Sequence, residues 1–207
     1  MNTYKATAVT VSLFGVFCIS SFAQAAGGGG GSAAGSQASA PSAPPTIATV
    51  LDRSLGSIER NIMNAAEAIP EDKYDFSPAT ANIPGDFKTP DPVRTMGQQF
   101  KHIGDALESY SSAISGEKRQ SSADENGPKS VKSKQEVINY LKSAFAQAHS
   151  AINSINQGNV VEPVAPGKPT RLALAVGMVG HSNNHYGQII EYLRMNSIVP
   201  PESQPKK

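Results

Sequence analysis

Four stretches of this sequence place apolar residues at three- and four-residue steps, and none alternates with a strand's period over any useful length. The first runs from about Thr46 to Ala68, with Leu51, Leu55, Ile58, Ile62 and then Ile69 before Pro70. The second runs from about Val93 to Ser115 and carries Met96, Phe100, Ile103, Leu107, Tyr110 and Ile114 as one stripe. The third opens on Ser133-Lys134-Gln135-Glu136, a sequence in which Ser and Glu can satisfy each other's orphan amides at a helix start. It continues through Val137, Leu141, Ala144, Ala148, Ile152 and Ile155. The fourth spans about Thr170 to Asn196 and stops before Pro200-Pro201. A helix with one apolar stripe must bury it against another element, and four such helices close around one core as an all-α four-helix bundle.

The connections differ in character. Residues 70–92 hold Tyr74, Phe76 and Phe87 among turn residues, so this loop is expected to pack back on the bundle. Residues 116–132 are almost wholly polar and read as a mobile surface excursion, while residues 158–169 carry three prolines and read as stiff.

Ahead of the helices, Lys5 precedes an apolar stretch from Ala6 to Phe22 and then Ala23-Gln24-Ala25, the pattern of a cleavable secretory signal over residues 1–25. The apolar run is short for a spanning helix, which needs about 20 residues. Cleavage is expected after Ala25 or Ala26, and Phe17 before Cys18 argues against a lipoprotein. Residues 26–46 are Gly, Ala, Ser, Gln and Pro with little else, too poor in apolar side chains to offset the entropy of ordering, and read as a flexible linker. The expected organisation is therefore signal 1–25, linker 26–46, bundle 47–201 and a disordered tail 202–207, in a protein exported to the periplasm or the medium. No membrane span is expected after cleavage.

With 17% charged residues and a formal net charge of +1, the chain has no basic excess for a nucleic acid. Its one cysteine, Cys18, lies in the signal. That removes thiolate zinc sites, iron–sulfur clusters and a cysteine nucleophile from the mature protein, and leaves any metal to His, Asp or Glu.

On the fourth stretch Leu174, Met178, His181, His185, Gln188 and Tyr192 follow alternating four- and three-residue steps and share a seam. Two imidazoles stand where a bundle ordinarily places Leu or Ile. Burying each without a partner costs on the order of 1–3 kcal/mol, which hydrogen bonds or coordination must offset. Side chains four apart on a helix point the same way, so His181 and His185 can converge on one ion; two imidazoles bonded to carbonyls or water are the bland alternative. A third ligand is needed. His102, beside Ile103 at the edge of the second stripe, is the candidate, and a boundary histidine half in solvent is its alternative. Asp105, three residues on, is placed to accept from the other ring nitrogen of His102, or else to face water. His149 flanks the third stripe and reads as structural or exposed.

Three neutral imidazoles leave coordination positions open, which marks a catalytic rather than a closed structural site. Zinc is the default divalent ion, and nitrogen ligation also suits nickel, iron or copper. No catalytic side chain is identified, so water or a substrate thiolate on the ion is the expected nucleophile. A Gly-x-Ser-x-Gly elbow, His-Glu-x-x-His and a phosphate-binding glycine loop are absent from the sequence.

The stretch Gly180-His181-Ser182-Asn183-Asn184-His185-Tyr186-Gly187-Gln188, with Tyr192-Leu193-Arg194-Met195-Asn196 and Pro200-Pro201 after it, resembles the last helix of the DinB family (DinB/YfiT-like). Ile69-Pro70-Glu71-Asp72-Lys73-Tyr74-Asp75-Phe76 is similar to that family's loop after its first helix, and Gln99-Phe100-Lys101-His102-Ile103 to its second-helix histidine motif. The resemblance covers about Ile47 to Pro201. It implies a four-helix bundle holding a divalent metal through His102, His181 and His185. Gln188 matches the family's Gly-Gln signature and is expected, with Asp105 and Tyr192, to support ligands or substrate. The Asn184 position often holds another histidine in relatives. Members include transferases and isomerases that use bacillithiol, mycothiol or similar small thiols, and some hydrolases.

The reading that results is an exported DinB-like protein binding a divalent metal through three histidines: a metal-dependent hydrolase or thiol-type transferase acting on a small electrophilic substrate. A non-catalytic metal-binding or stress-associated module of the cell envelope is the alternative. Bundles of this kind can pair through exposed helix faces as a homodimer.

Overall fold

The computed structural model describes residues 44–81, 85, 93–121 and 124–205. The expected signal and nearly all of the expected linker, with Cys18 and Phe87, lie outside these residues. Four α-helices make up the fold: α1 (Ile47–Ala68), α2 (Met96–Ser115), α3 (Lys134–Asn153) and α4 (Arg171–Met195). Among the described residues there is no strand, only an isolated antiparallel bridge between Pro163 and Thr170 in the last long connection.

Each helix begins on a side chain that accepts from an exposed backbone amide. Thr46, Thr95, Ser133 and Thr170 are the N-caps. Thr95 with Gln98 and Ser133 with Glu136 complete reciprocal capping boxes, each cap contributing roughly 1 kcal/mol. The expected Ser133 start is therefore found, and α2 begins three residues later than Val93 because the capping box sets its boundary at Thr95. Gly116, at φ 79°, ends α2 in the left-handed region that favours glycine.

Leu55 and Ile62 of α1, Phe100, Ile103 and Leu107 of α2, Leu141, Phe145 and Ile152 of α3, and Met178 and Leu193 of α4 are fully buried in one core. Each such side chain contributes on the order of 1.5–3 kcal/mol by leaving water. α2 packs against both α3 and α4, and α1 against the same two, so α1 faces α2 across a diagonal. A Cβ on Gly104 would run into the Tyr140 ring, so α3 presses against α2 there over a glycine.

The loop after α1 packs back as expected. Tyr74 is buried, stacks on Phe100 and donates to the Ala66 carbonyl at 2.8 Å, and Phe76 packs edge-on against Tyr192. The described residues of 116–132 depart from the expected free excursion. Their polar side chains and backbone groups bond to α2 and Val131 packs against the core, because a mostly polar segment can still be ordered through a helix's charged edge.

Candidate metal centre

Helices α2 and α4 run antiparallel side by side: Gln99 donates to Gln188 at 2.9 Å near one end, and Tyr110 lies over Gly177 nearer the other. His102 comes from α2 between these points, and His181 and His185 from successive turns of α4. Their ring centroids are 4.5 Å apart for His181–His185 and His102–His185, and 5.1 Å for His102–His181. One nitrogen from each ring can be chosen so that all three lie within 4.8 Å of one another. The three histidines are close enough to hold one metal ion.

Hydrogen bonds say which nitrogens remain for that task. Nδ1 of His102 faces the carbonyl oxygen of Glu125 at 2.5 Å, and Nδ1 of His185 faces the side-chain carbonyl oxygen of Gln99 at 2.9 Å. A carbonyl only accepts, so both Nδ1 atoms carry the proton and both Nε2 atoms carry a lone pair. Nε2 of His181 is buried and has no hydrogen-bond partner among the described residues. Such an orphan costs about 1–3 kcal/mol. Burial lowers the pKa of all three rings, and neighbouring positive charge adds to it for each. For His102 the bond to Glu125 opposes that lowering without reversing it. His185 is pushed down to about 4, first by burial and then by the charges that His181, His102 and Arg94 can carry. At neutral pH the cluster is thus uncharged and electron-rich, the state a divalent cation requires of its ligands. The donor set fits such an ion.

The apolar seam of α4 is displaced from the one expected. Ala175, Met178, Ser182, His185, Ile189 and Tyr192 are its buried positions, so His185 sits inside the core face. His181 and Gln188 lie at its edge and are half-buried.

The remaining expected site residues are placed as follows. Gln188 reaches the cluster through Gln99, which passes the contact on to His185. Asp105 does not bond His102. Its carboxylate takes the Arg119 guanidinium and the Asp124 amide, because a cation in the neighbouring loop outcompetes an uncharged ring. Tyr192 does not face the histidines either; it is buried among core side chains, and its hydroxyl donates to the Arg94 carbonyl at 3.0 Å. Two groups touching the cluster were not anticipated, Gln99 and the Glu125 carbonyl. A buried amide on an apolar stripe, one turn before His102, is a signal that could have singled out Gln99. A backbone carbonyl has no side-chain signature to read.

His149 lies elsewhere, on α3 facing α1. Its Nδ1 meets Asp52 at 2.7 Å and its Nε2 meets Glu59 at 3.0 Å. It does not reach the cluster.

The family model described as DinB superfamily matches residues 55–189, which contain all of α2 and α3 and all three clustered histidines. The chain belongs to the DinB superfamily. No curated protein matches it. Among the described residues no helix is long and apolar enough to cross a membrane.

Proposed function

We propose that this protein is an exported DinB-type enzyme that binds one divalent metal, zinc by default, through Nε2 of His102, His181 and His185. Its reaction on this reading is hydrolysis of, or thiol transfer to, a small electrophilic substrate. The observation that carries the reading is the convergence of three neutral imidazoles, two of them held with Nε2 free, around a buried nitrogen that nothing among the described residues satisfies. Fewer than four protein ligands leave room for a substrate atom.

When bound, a divalent ion supplies Lewis acidity toward an electrophile or a nucleophile at neutral pH. The chain's own residues hold the ligands ready: Glu125 and Gln99 fix ring tautomers, and Gln188 fixes Gln99. Tyr110, whose ring centroid lies 6.2 Å from that of His181, borders the cluster on the α2 side and on this reading contacts the substrate. Export follows from the residue 1–25 signal, with the linker giving the bundle reach from a surface.

Elemental analysis of the purified full chain, with His181→Ala and His102→Ala beside it, tests the metal. About one ion per wild-type chain and little in either variant is expected. Screens for thiol transfer and for ester or amide hydrolysis then test the chemistry. Turnover that requires the ion supports the enzyme, and tight binding without turnover would replace it with the metal-binding module. Fractionation with amino-terminal sequencing tests export, with a mature start after Ala25 or Ala26 expected.

A further inference from the structure

The polar segment between α2 and α3 is fastened to α2 over the two turns that contain His102. Lys101 Nζ donates to the Pro128 and Val131 carbonyls at 3.3 and 3.2 Å. Gly127, at φ 70°, lies so close to α2 that a Cβ there would stand 2.8 Å from the Lys101 carbonyl oxygen. Between these anchors and the end of α2 sits Asp105. Its carboxylate pairs with Arg119, whose guanidinium also donates to the Asp105 carbonyl at 3.2 Å. The same carboxylate oxygen accepts the Asp124 amide at 3.1 Å. Asp124 in turn accepts the Asn126 amide at 2.9 Å, closing a side-chain turn whose middle residue is Glu125. The Glu125 carbonyl is the group against His102 Nδ1. Arg94 fastens the far side of the turn by donating to Asn126 at 3.1 Å.

We propose that Asp105 is a positioning residue of the metal centre, which sets the turn at residues 124–126 so that the Glu125 carbonyl holds His102 in its Nδ1-protonated form with Nε2 turned to the cluster. Its effect on metal affinity rests on the metal-binding reading above; its effect on the ring tautomer does not. Outer partners of ligating histidines fix ring orientation and raise basicity, and their loss typically weakens metal binding about 10- to 100-fold. Here the outer partner is a backbone group, so the side chain that matters is one step removed.

The test compares the wild type, Asp105→Ala and, as a control for general destabilisation at a distant anchor, Lys134→Met, which removes bonds to the Glu67 and Ile69 carbonyls. Long-range nitrogen–proton correlation spectra of the metal-free full chain report each ring's tautomer, and competition against a chelator reports zinc affinity. In the wild type and Lys134→Met, His102 is expected as the Nδ1–H form. In Asp105→Ala it shifts to a mixture with Nε2–H, and zinc affinity falls about 10- to 100-fold. Should Asp105→Ala fail to fold by circular dichroism, Asp105→Asn carries the test, because it keeps an acceptor for Asp124 but offers Arg119 no charge; the same changes are expected, reduced in size. A folded variant that keeps both the wild-type tautomer and the wild-type affinity overturns the proposal. A wild type that binds no zinc while Asp105→Ala still loses the tautomer overturns the metal reading and supports the positioning.

Discussion

Two regions of this bundle use histidine in opposite ways. At the α2–α4 seam three imidazoles face one another, with acceptors on Nδ1 of two of them and, among the described residues, no acidic side chain bonded to any. At the α1–α3 seam one imidazole, His149, has a carboxylate on each nitrogen. Carboxylates only accept, so satisfying both requires both ring protons and therefore a cation. Burial works against that charge, but the bonds to Asp52 and Glu59 and their negative charge outweigh it and raise the His149 pKa. The clustered rings are pushed down instead. The same residue type is thus a neutral electron donor on one side of the fold and a charged cross-link on the other, and the partners decide which.

The largest effects should come from removing a member of the cluster. His181→Ala or His185→Ala is expected to lower zinc affinity by well over the roughly 100-fold that an outer partner controls, while His149→Ala leaves it within a fewfold. Isothermal titration or chelator competition reads both. Next in size is Gln99→Ala, which strips the acceptor from His185 Nδ1 and the contact to Gln188; affinity should drop about 10- to 100-fold with the fold intact by circular dichroism.

The two regions should also respond to pH with opposite sign. A group with a lowered pKa in the folded state favours folding above its unfolded value, near 6.5 for histidine, and that contribution is lost as pH falls toward the folded value. Metal-free protein should therefore lose thermal stability between about pH 6.5 and 4 through the cluster, with His185→Gln flattening that decline. The raised pKa of His149 works the other way: its contribution is complete below about 6.5 and disappears as pH rises through the folded value. His149→Gln should thus destabilise most in mildly acid solution and least in alkali, with a maximum near 1 kcal/mol because all three side chains are partly exposed. Equal losses at both ends of the range would contradict the cationic cross-link.

The helices and their caps were legible because periodicity and capping are local. Ile58, Ile62, Phe100, Leu141 and Ile152 are buried on the faces their spacing implies, and Ser133 starts α3 where its sequence says it should. The clustering of His102 with His181 and His185 followed from the family resemblance together with helical spacing. What escaped were partners distant in sequence: Asp52 for His149, Arg119 for Asp105 and the Glu125 carbonyl for His102. Nothing in periodicity pairs a helix residue with a polar loop, and an almost wholly polar loop looks unattached until its bonds to α2 are seen. The seam of α4 was displaced because His181 and Gln188 continue a regular spacing although they sit at the edge of the face that Ala175, Ser182 and Ile189 bury.

X-ray absorption at the zinc edge of the full chain, reconstituted with one equivalent of zinc, tests the central claim most directly. Three imidazole nitrogens in the first coordination sphere at about 2.0–2.1 Å, falling to two in His102→Ala, are predicted. A sphere with fewer than three imidazoles in the wild type, or one unchanged in His102→Ala, would contradict it.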